Sequence, residues 1–153
     1  MEEKQSIHIV MAEDDPDDRM LTRRALKKSR LVNTLDTVED GEELMDYLHR
    51  RGRYGGENAP PRPGLILLDL NMPRMDGREA LARIKSDPEL RRIPVIVLTT
   101  SEAEQDILDS YDLGVNAYVT KPVSFEGLVN ALRALGGFWF EIVKLPSERQ
   151  VQE

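Results

Sequence analysis

Leu65-Ile66-Leu67-Leu68-Asp69-Leu70-Asn71-Met72-Pro73-Arg74-Met75-Asp76-Gly77 reads as a short core strand that ends in a carboxylate, followed by a loop and a helix start. Asp69 is what the strand pushes out of the core at its end. Ile7–Ala12 is a similar run and finishes in Glu13-Asp14-Asp15. Val95-Ile96-Val97-Leu98 finishes in Thr99-Thr100, and the stretch at Tyr118-Val119 finishes in Thr120-Lys121-Pro122. If these strands lie parallel in one sheet, three carboxylates, a hydroxyl and an amine meet at one edge. The carboxyl edge of an open α/β sheet is where ligands bind.

Working outward, apolar runs alternate with helical patterns, the sign of βα repeats and a parallel sheet. Asp15 and Pro16 suit a helix start with Asp17-Asp18 at the positive end of its dipole, and Lys27, Lys28 and Arg30 suit its end near Ser29. A weaker second strand is expected over Thr34–Val38, then a helix over Glu42–Arg50. Further helices are expected following Asp76-Gly77 and running to about Ser86, over Glu102–Leu113 ending at Gly114, and after the capping Ser124. The last strand is expected over Ala117–Thr120. Residues 51–64, rich in Gly, Pro and Arg, read as a long surface loop. In the last helix Leu128, Leu132, Leu135, Trp139 and Ile142 form one stripe across Gly136-Gly137, so the helix is expected to run on until Pro146.

The 153 residues fit a single domain with a full core. With 28 acids against 21 bases the net charge is −7, which argues against general nucleic-acid binding. No apolar stretch approaches the roughly 20 residues that span a bilayer. The acidic N-terminus lacks a signal-peptide layout. There is no cysteine, hence neither disulfides nor thiol chemistry. The expected address is the cytoplasm.

Crowded carboxylates repel unless a cation joins them. Mg²⁺ takes oxygen ligands, often one or two carboxylates with phosphate and water. Glu13, Asp14 and Asp69 can supply the carboxylates, and Asn71 a backbone carbonyl. Lys121 can neutralise a transferred phosphoryl group and Thr99 can offer it a hydroxyl. That set is adequate for phosphoryl transfer onto Asp69, which depends mostly on positioning and electrostatics. Each feature alone has an ordinary structural explanation, such as a helix cap or a turn; their joint occurrence at four strand ends does not.

Glu13-Asp14-Asp15, Leu67–Gly77, Leu98-Thr99-Thr100 and Tyr118-Val119-Thr120-Lys121-Pro122 together resemble the motifs of receiver domains in two-component response regulators, over about Ile7 to Leu135. The resemblance implies a flavodoxin-like, doubly wound, five-stranded parallel sheet in the order 2-1-3-4-5 with five helices, a topology whose chemotaxis example is a standard one. It implies Asp69 as phosphoacceptor, Asp14 as direct Mg²⁺ ligand and Glu13 as a ligand through water. Asn71 would be the carbonyl ligand, Thr99 the switch hydroxyl, Lys121 the phosphate partner and Tyr118 the switch aromatic. It also implies a cis Lys121-Pro122 bond. The expected role is non-enzymatic, beyond assisting its own phosphorylation and dephosphorylation, with a sensor histidine kinase as partner.

The expected division is a receiver over residues 1–135 and a helix extension with polar tail over 136–153, with no separate effector domain. The long loop and the aromatic tail resemble stand-alone regulators paired with bacteriophytochrome kinases. The tail, Phe138, Trp139, Phe140, Glu141, Ile142 and Val143, suggests a homodimer through the last helix. Two rivals come from other classes. One is a Mg²⁺-dependent phosphohydrolase with an aspartate nucleophile, of the haloacid-dehalogenase type; those enzymes carry a second acid where this chain has Asn71. The other is a binding module independent of phosphorylation. The basic group Arg19, Arg23, Arg24, Lys27 and Lys28 reads as a solvated helix face that can also include kinase contacts. His8 and His49 stand alone and receive no role.

Overall fold

Central strands of a parallel sheet are covered on both faces, so they tolerate an unbroken apolar run. β3 (Leu65–Asp69) and β4 (Val95–Thr99) are buried at every residue. Around them stand β1 (Ile7–Ala12), β2 (Asn33–Val38) and β5 (Ala117–Thr120), all parallel, in the order 2-1-3-4-5. The structure is a computed structural model and describes residues 7–29, 33–100, 102–105 and 113–135. The helices are α1 (Pro16–Lys28), α2 (Gly41–His49), α3 (Gly77–Ser86), α4, described over residues 102–105, and α5 (Phe125–Ala134).

Successive strand side chains point to opposite faces, and the core divides accordingly. Ile66, Leu68, Val95 and Val97 pack with Leu44, Leu48, Leu81 and Ile84 of α2 and α3. Leu65, Leu67, Ile96 and Leu98 pack on the other side with Leu26 of α1 and Leu128 and Leu132 of α5.

Four helices begin with a capping side chain that satisfies an otherwise orphaned N–H. Asp15 accepts from Asp17, Asp40 from Glu43, Asp76 from Glu79 and Ser124 from Gly127, at 2.8, 2.8, 3.0 and 3.0 Å. Each cap is worth about 1 kcal/mol.

β2 starts at Asn33, one residue before the expected start. α2 spans Gly41–His49, because Asp40 rather than Gly41 is the cap and Arg50 closes the helix in the left-handed region at φ 56°. The 51–64 segment is more ordered than a plain loop. It forms two short 3₁₀ turns, Gly52–Tyr54 and Gly56–Asn58. Tyr54 anchors them, with its ring edge-on to Tyr47 at 5.1 Å between centroids and its hydroxyl donating to Glu43 Oε2 at 2.5 Å.

His8 also has a place. It bridges β1 to β2 through Nδ1 and the Thr34 hydroxyl, 2.7 Å apart, and its Nε2 meets the hydroxyl of the buried Tyr47, which donates to Asp36 at 2.7 Å. The sequence assigned His8 no role, and the place it takes in the structure is this bridge between strands and helix. The expected continuation of the last helix through Gly136-Gly137 lies outside the described residues.

Candidate functional site

Register alone assembles the acidic edge. Ala12 pairs with Leu68 and Asp69 with Leu98, so the residue after β1, Glu13, falls beside Asp69, and Thr99 comes one step beyond. The Glu13 N–H donates to Val38 O at 2.9 Å, which carries the β1–β2 pairing one residue further. Glu13, Asp69 and Thr99 are buried and Asp14 is exposed. Thr99 pairs with Thr120, and its carbonyl accepts the Lys121 N–H at 2.8 Å, ahead of a cis Lys121-Pro122 bond.

Carboxylate oxygens of Glu13, Asp14 and Asp69 all lie within 4.8 Å of one another. Lys121 Nζ sits among acids, 2.9 Å from Glu13 Oε1, 3.1 Å from Asp18 Oδ2 and 3.2 Å from Asp69 Oδ1. Burial pushes the Glu13 carboxyl up to about 7 against the pull of Lys121, and the Asp69 charge adds to the rise. Burial likewise raises Asp69, while Lys121 and the backbone N–H of Asn71 pull it down. Burial works to lower the Lys121 ammonium, but Glu13, Asp18 and Asp69 outweigh it and hold it above the usual lysine range.

These residues fit a divalent cation. Glu13 Oε1 is buried and accepts no aligned hydrogen bond, although Lys121 Nζ lies 2.9 Å away. One ammonium faces three acids here, with Asp14 beside two of them, and the available donors are all oxygen, the preference of hard cations such as Mg²⁺ and Mn²⁺.

The loop after β3 is held from the side of α2. Arg74 adopts a left-handed backbone, φ 62°, and its guanidinium pairs with the buried Asp40, Nε lying 2.8 Å from Oδ2. The Gly41 N–H donates to Met75 O at 2.9 Å. Gly77 starts α3 directly against the end of β3, its N–H donating to Leu70 O at 2.9 Å.

Of the residues expected from sequence, Glu13, Asp14, Asp69 and Lys121 converge, with Thr99 at the adjoining strand end and Asn71 beside Asp69. Tyr118 stands apart from the acids. It is half-buried on β5 and its hydroxyl reaches the Gln105 carbonyl of α4 at 3.5 Å. The sequence reading missed three contributors. Asp18 was given only a dipole role, Arg74 only a place in the motif, and Arg19 a solvated face, although its guanidinium donates to Glu13 O at 2.8 Å. Acids near helix starts and arginines in loops are too common for their type alone to announce such contacts.

The model of the response regulator receiver domain matches residues 9–133. Response regulator Rcp1 of Synechocystis sp. is 46% identical over 139 residues, which cover 91% of this chain and 92% of Rcp1. The structure of its Mn²⁺-bound form superposes with a TM-score of 0.70, at 46% identity, over 92% of this chain and 99% of that one. The bacteriophytochrome response regulator RtBRR superposes with a TM-score of 0.83, at 43% identity, over 93% of this chain and 83% of that one. Phosphorylated RcpA, a cyanobacterial phytochrome response regulator, gives a TM-score of 0.69 at 47% identity, over 93% of this chain and 99% of that one. The strand order, the acidic edge with its lysine and these matches agree, and the chain belongs to the response regulator receiver family, whose members act as phosphoacceptor switches in two-component signalling.

Proposed function

We propose that this chain accepts a phosphoryl group on Asp69 from a phosphohistidine of a sensor kinase, and that the kinase is a bacteriophytochrome. The observation that carries the first part is the buried Asp69 carboxylate at the end of β3, with the Lys121 ammonium 3.2 Å away and two further acids converging on it. The names of the similar regulators support the second. An Asp69 carboxylate oxygen attacks phosphorus, the P–N bond of the phosphohistidine breaks, and its electron pair returns to the imidazole nitrogen, which takes up a proton. Lys121 pairs with a phosphoryl oxygen and Thr99 donates its hydroxyl to another. Glu13, Asp14, Asp69 and the Asn71 carbonyl would hold Mg²⁺, which supplies positive charge to the transferring oxygens.

Movement of Thr99 toward the phosphoryl group, with Tyr118 turning into the space it leaves, transmits the change to the surface of α4, β5 and α5. The product is a regulator rather than an enzyme acting on other substrates. Asn71 stands where the rival phosphohydrolase needs its second acid, which favours the receiver reading. Incubation with autophosphorylated bacteriophytochrome kinases and Mg²⁺ tests this. The expected product gains the mass of one phosphoryl group, mapped to Asp69; transfer to another residue, or none from any histidine kinase, would overturn it.

Mg²⁺ affinity should depend on pH through Glu13. Its folded-state carboxyl, held at about 7 before a cation binds, lies above the ordinary 4.5. The ion-free folded state therefore binds this proton more tightly than the unfolded chain, and its stability falls as pH rises between those values. A cation must displace the proton below pH 7, so binding is expected to be about ten-fold weaker at pH 6 than at pH 8. Calorimetric titration checks this; a flat profile contradicts it.

The domain boundary we favour is a receiver over residues 1–135 with a helical extension and tail over 136–153. The aromatic segment Phe138–Val143 supports a homodimer through that extension. Sedimentation of the full chain beside one truncated after Gly136 is expected to give a dimer and a monomer; two monomers would rule the interface out. Among the described residues no helix is long and apolar enough to cross a membrane. The net charge of −7 and the kinase partner together support a cytoplasmic address with no nucleic-acid partner.

A further inference from the structure

Lys121 has one carboxylate partner more than phosphoryl chemistry requires. Glu13 and Asp69, at 2.9 and 3.2 Å from Nζ, both belong to the group whose oxygens converge for a cation. Asp18, at 3.1 Å, does not belong to it. Asp18 is the third residue of α1, where an acid ordinarily serves the helix dipole or reaches back to the backbone N–H of the cap residue. That N–H is already taken, because Asp15 donates it to Glu13 Oε2 at 3.2 Å. The Asp18 side chain instead crosses to the residue after β5. The pair is mostly shielded, with 17% of the Asp18 side chain and 13% of the Lys121 side chain exposed, so its attraction is less screened than that of a surface pair.

A divalent cation and the Lys121 ammonium are rivals for Glu13 and Asp69. We propose that Asp18 is a positioning residue that resolves this rivalry: it is the berth to which the ammonium withdraws when a cation takes the other two carboxylates, and from which it reaches the phosphoryl group. This rests on reading the cluster as a cation and phosphoryl site. With Asp18 present, cation binding costs Lys121 two partners and leaves it one. Without Asp18, cation binding leaves the ammonium in a confined space with no carboxylate of its own.

Calorimetric titration of Mg²⁺ into the wild type, Asp18→Asn, Lys121→Met and the double variant tests it. With Lys121 present, Asp18→Asn is expected to weaken Mg²⁺ binding about three- to ten-fold. With Lys121→Met the rival is gone, and the same substitution should change affinity less than about two-fold. A role limited to the helix dipole or to bulk charge would give equal changes in both backgrounds, and that result, or no change in either, overturns the proposal. Melting curves accompany each variant; if Asp18→Asn melts below the assay temperature, Asp18→Ser takes its place in the same cycle. Phosphorylation by acetyl phosphate, compared between wild type and Asp69→Asn, reports separately on the underlying site. Failure of the wild type to bind Mg²⁺ at all would overturn both readings.

Discussion

Asp69→Asn is expected to abolish phosphorylation while making the ion-free protein more stable. The amide has nearly the shape of the carboxylate but offers no nucleophilic oxygen, so neither a kinase nor acetyl phosphate should leave a phosphoryl group on the chain. The gain in stability follows from the charge balance. Burial disfavours the Asp69 charge, and the carboxylate stands in a group where Glu13, Asp14 and Asp18 already outnumber Lys121. Removing it leaves Lys121 with Glu13 and Asp18, at 2.9 and 3.1 Å. No unpaired buried cation results, and the usual penalty for breaking a buried pair does not apply. Relief of strain kept for chemistry typically returns about 0.5–2 kcal/mol. Urea denaturation in EDTA should show a higher midpoint for the variant. Residual phosphorylation at the wild-type rate would refute the assignment of Asp69, and a lower midpoint would refute the charge argument.

Gly77→Ala should cost much of the fold's stability. A Cβ at this position would stand 2.2 Å from the Asp69 carbonyl oxygen and 2.7 Å from Leu70 Cα, both backbone atoms. No side-chain rotation can relieve such a contact. The helix cannot withdraw either, since the Gly77 N–H is bonded to Leu70 O and Asp76 caps the next turn. Overpacking against immovable atoms costs about 3 kcal/mol or more, a fall in melting temperature of roughly 6–12 °C for a domain of this size. Phosphorylation should slow as well, because relief requires the end of β3 to move. Gly56→Ala provides the contrast: nothing lies within 4 Å of its Cβ, and only its positive φ of 62° is at stake, worth about 1 kcal/mol. Differential scanning calorimetry decides between them; a Gly77→Ala protein melting with wild type would show that the backbone there is free to yield.

Much of this site was legible because the strands are short, apolar and central. β1, β3, β4 and β5 occupy the expected residues, and in a parallel sheet strand ends determine which side chains meet. β2 was less clear because it lies at the border of the sheet, where Asn33, Thr34 and Asp36 weaken the apolar signal. The 3₁₀ turns after α2 were not legible, since the Tyr54–Tyr47 and Tyr54–Glu43 contacts that order them are tertiary. The same holds for Arg74–Asp40 and Lys121–Asp18, each joining residues far apart in the chain. Gly77 was read only as part of a helix start, and the close approach that makes it demanding exists only once β3 and α3 are placed.

The two borders of the sheet bear on how this chain can meet its own copies. β5 has four residues, and β2 carries Asp36 and Thr34, both tied into the His8–Tyr47 bridge. A neighbouring chain seeking to extend the sheet would find one border too short and the other polar and already engaged. Ladder-like growth from chain to chain is therefore disfavoured at high concentration, and self-association is left to helical surfaces, where it can be finite and reversible.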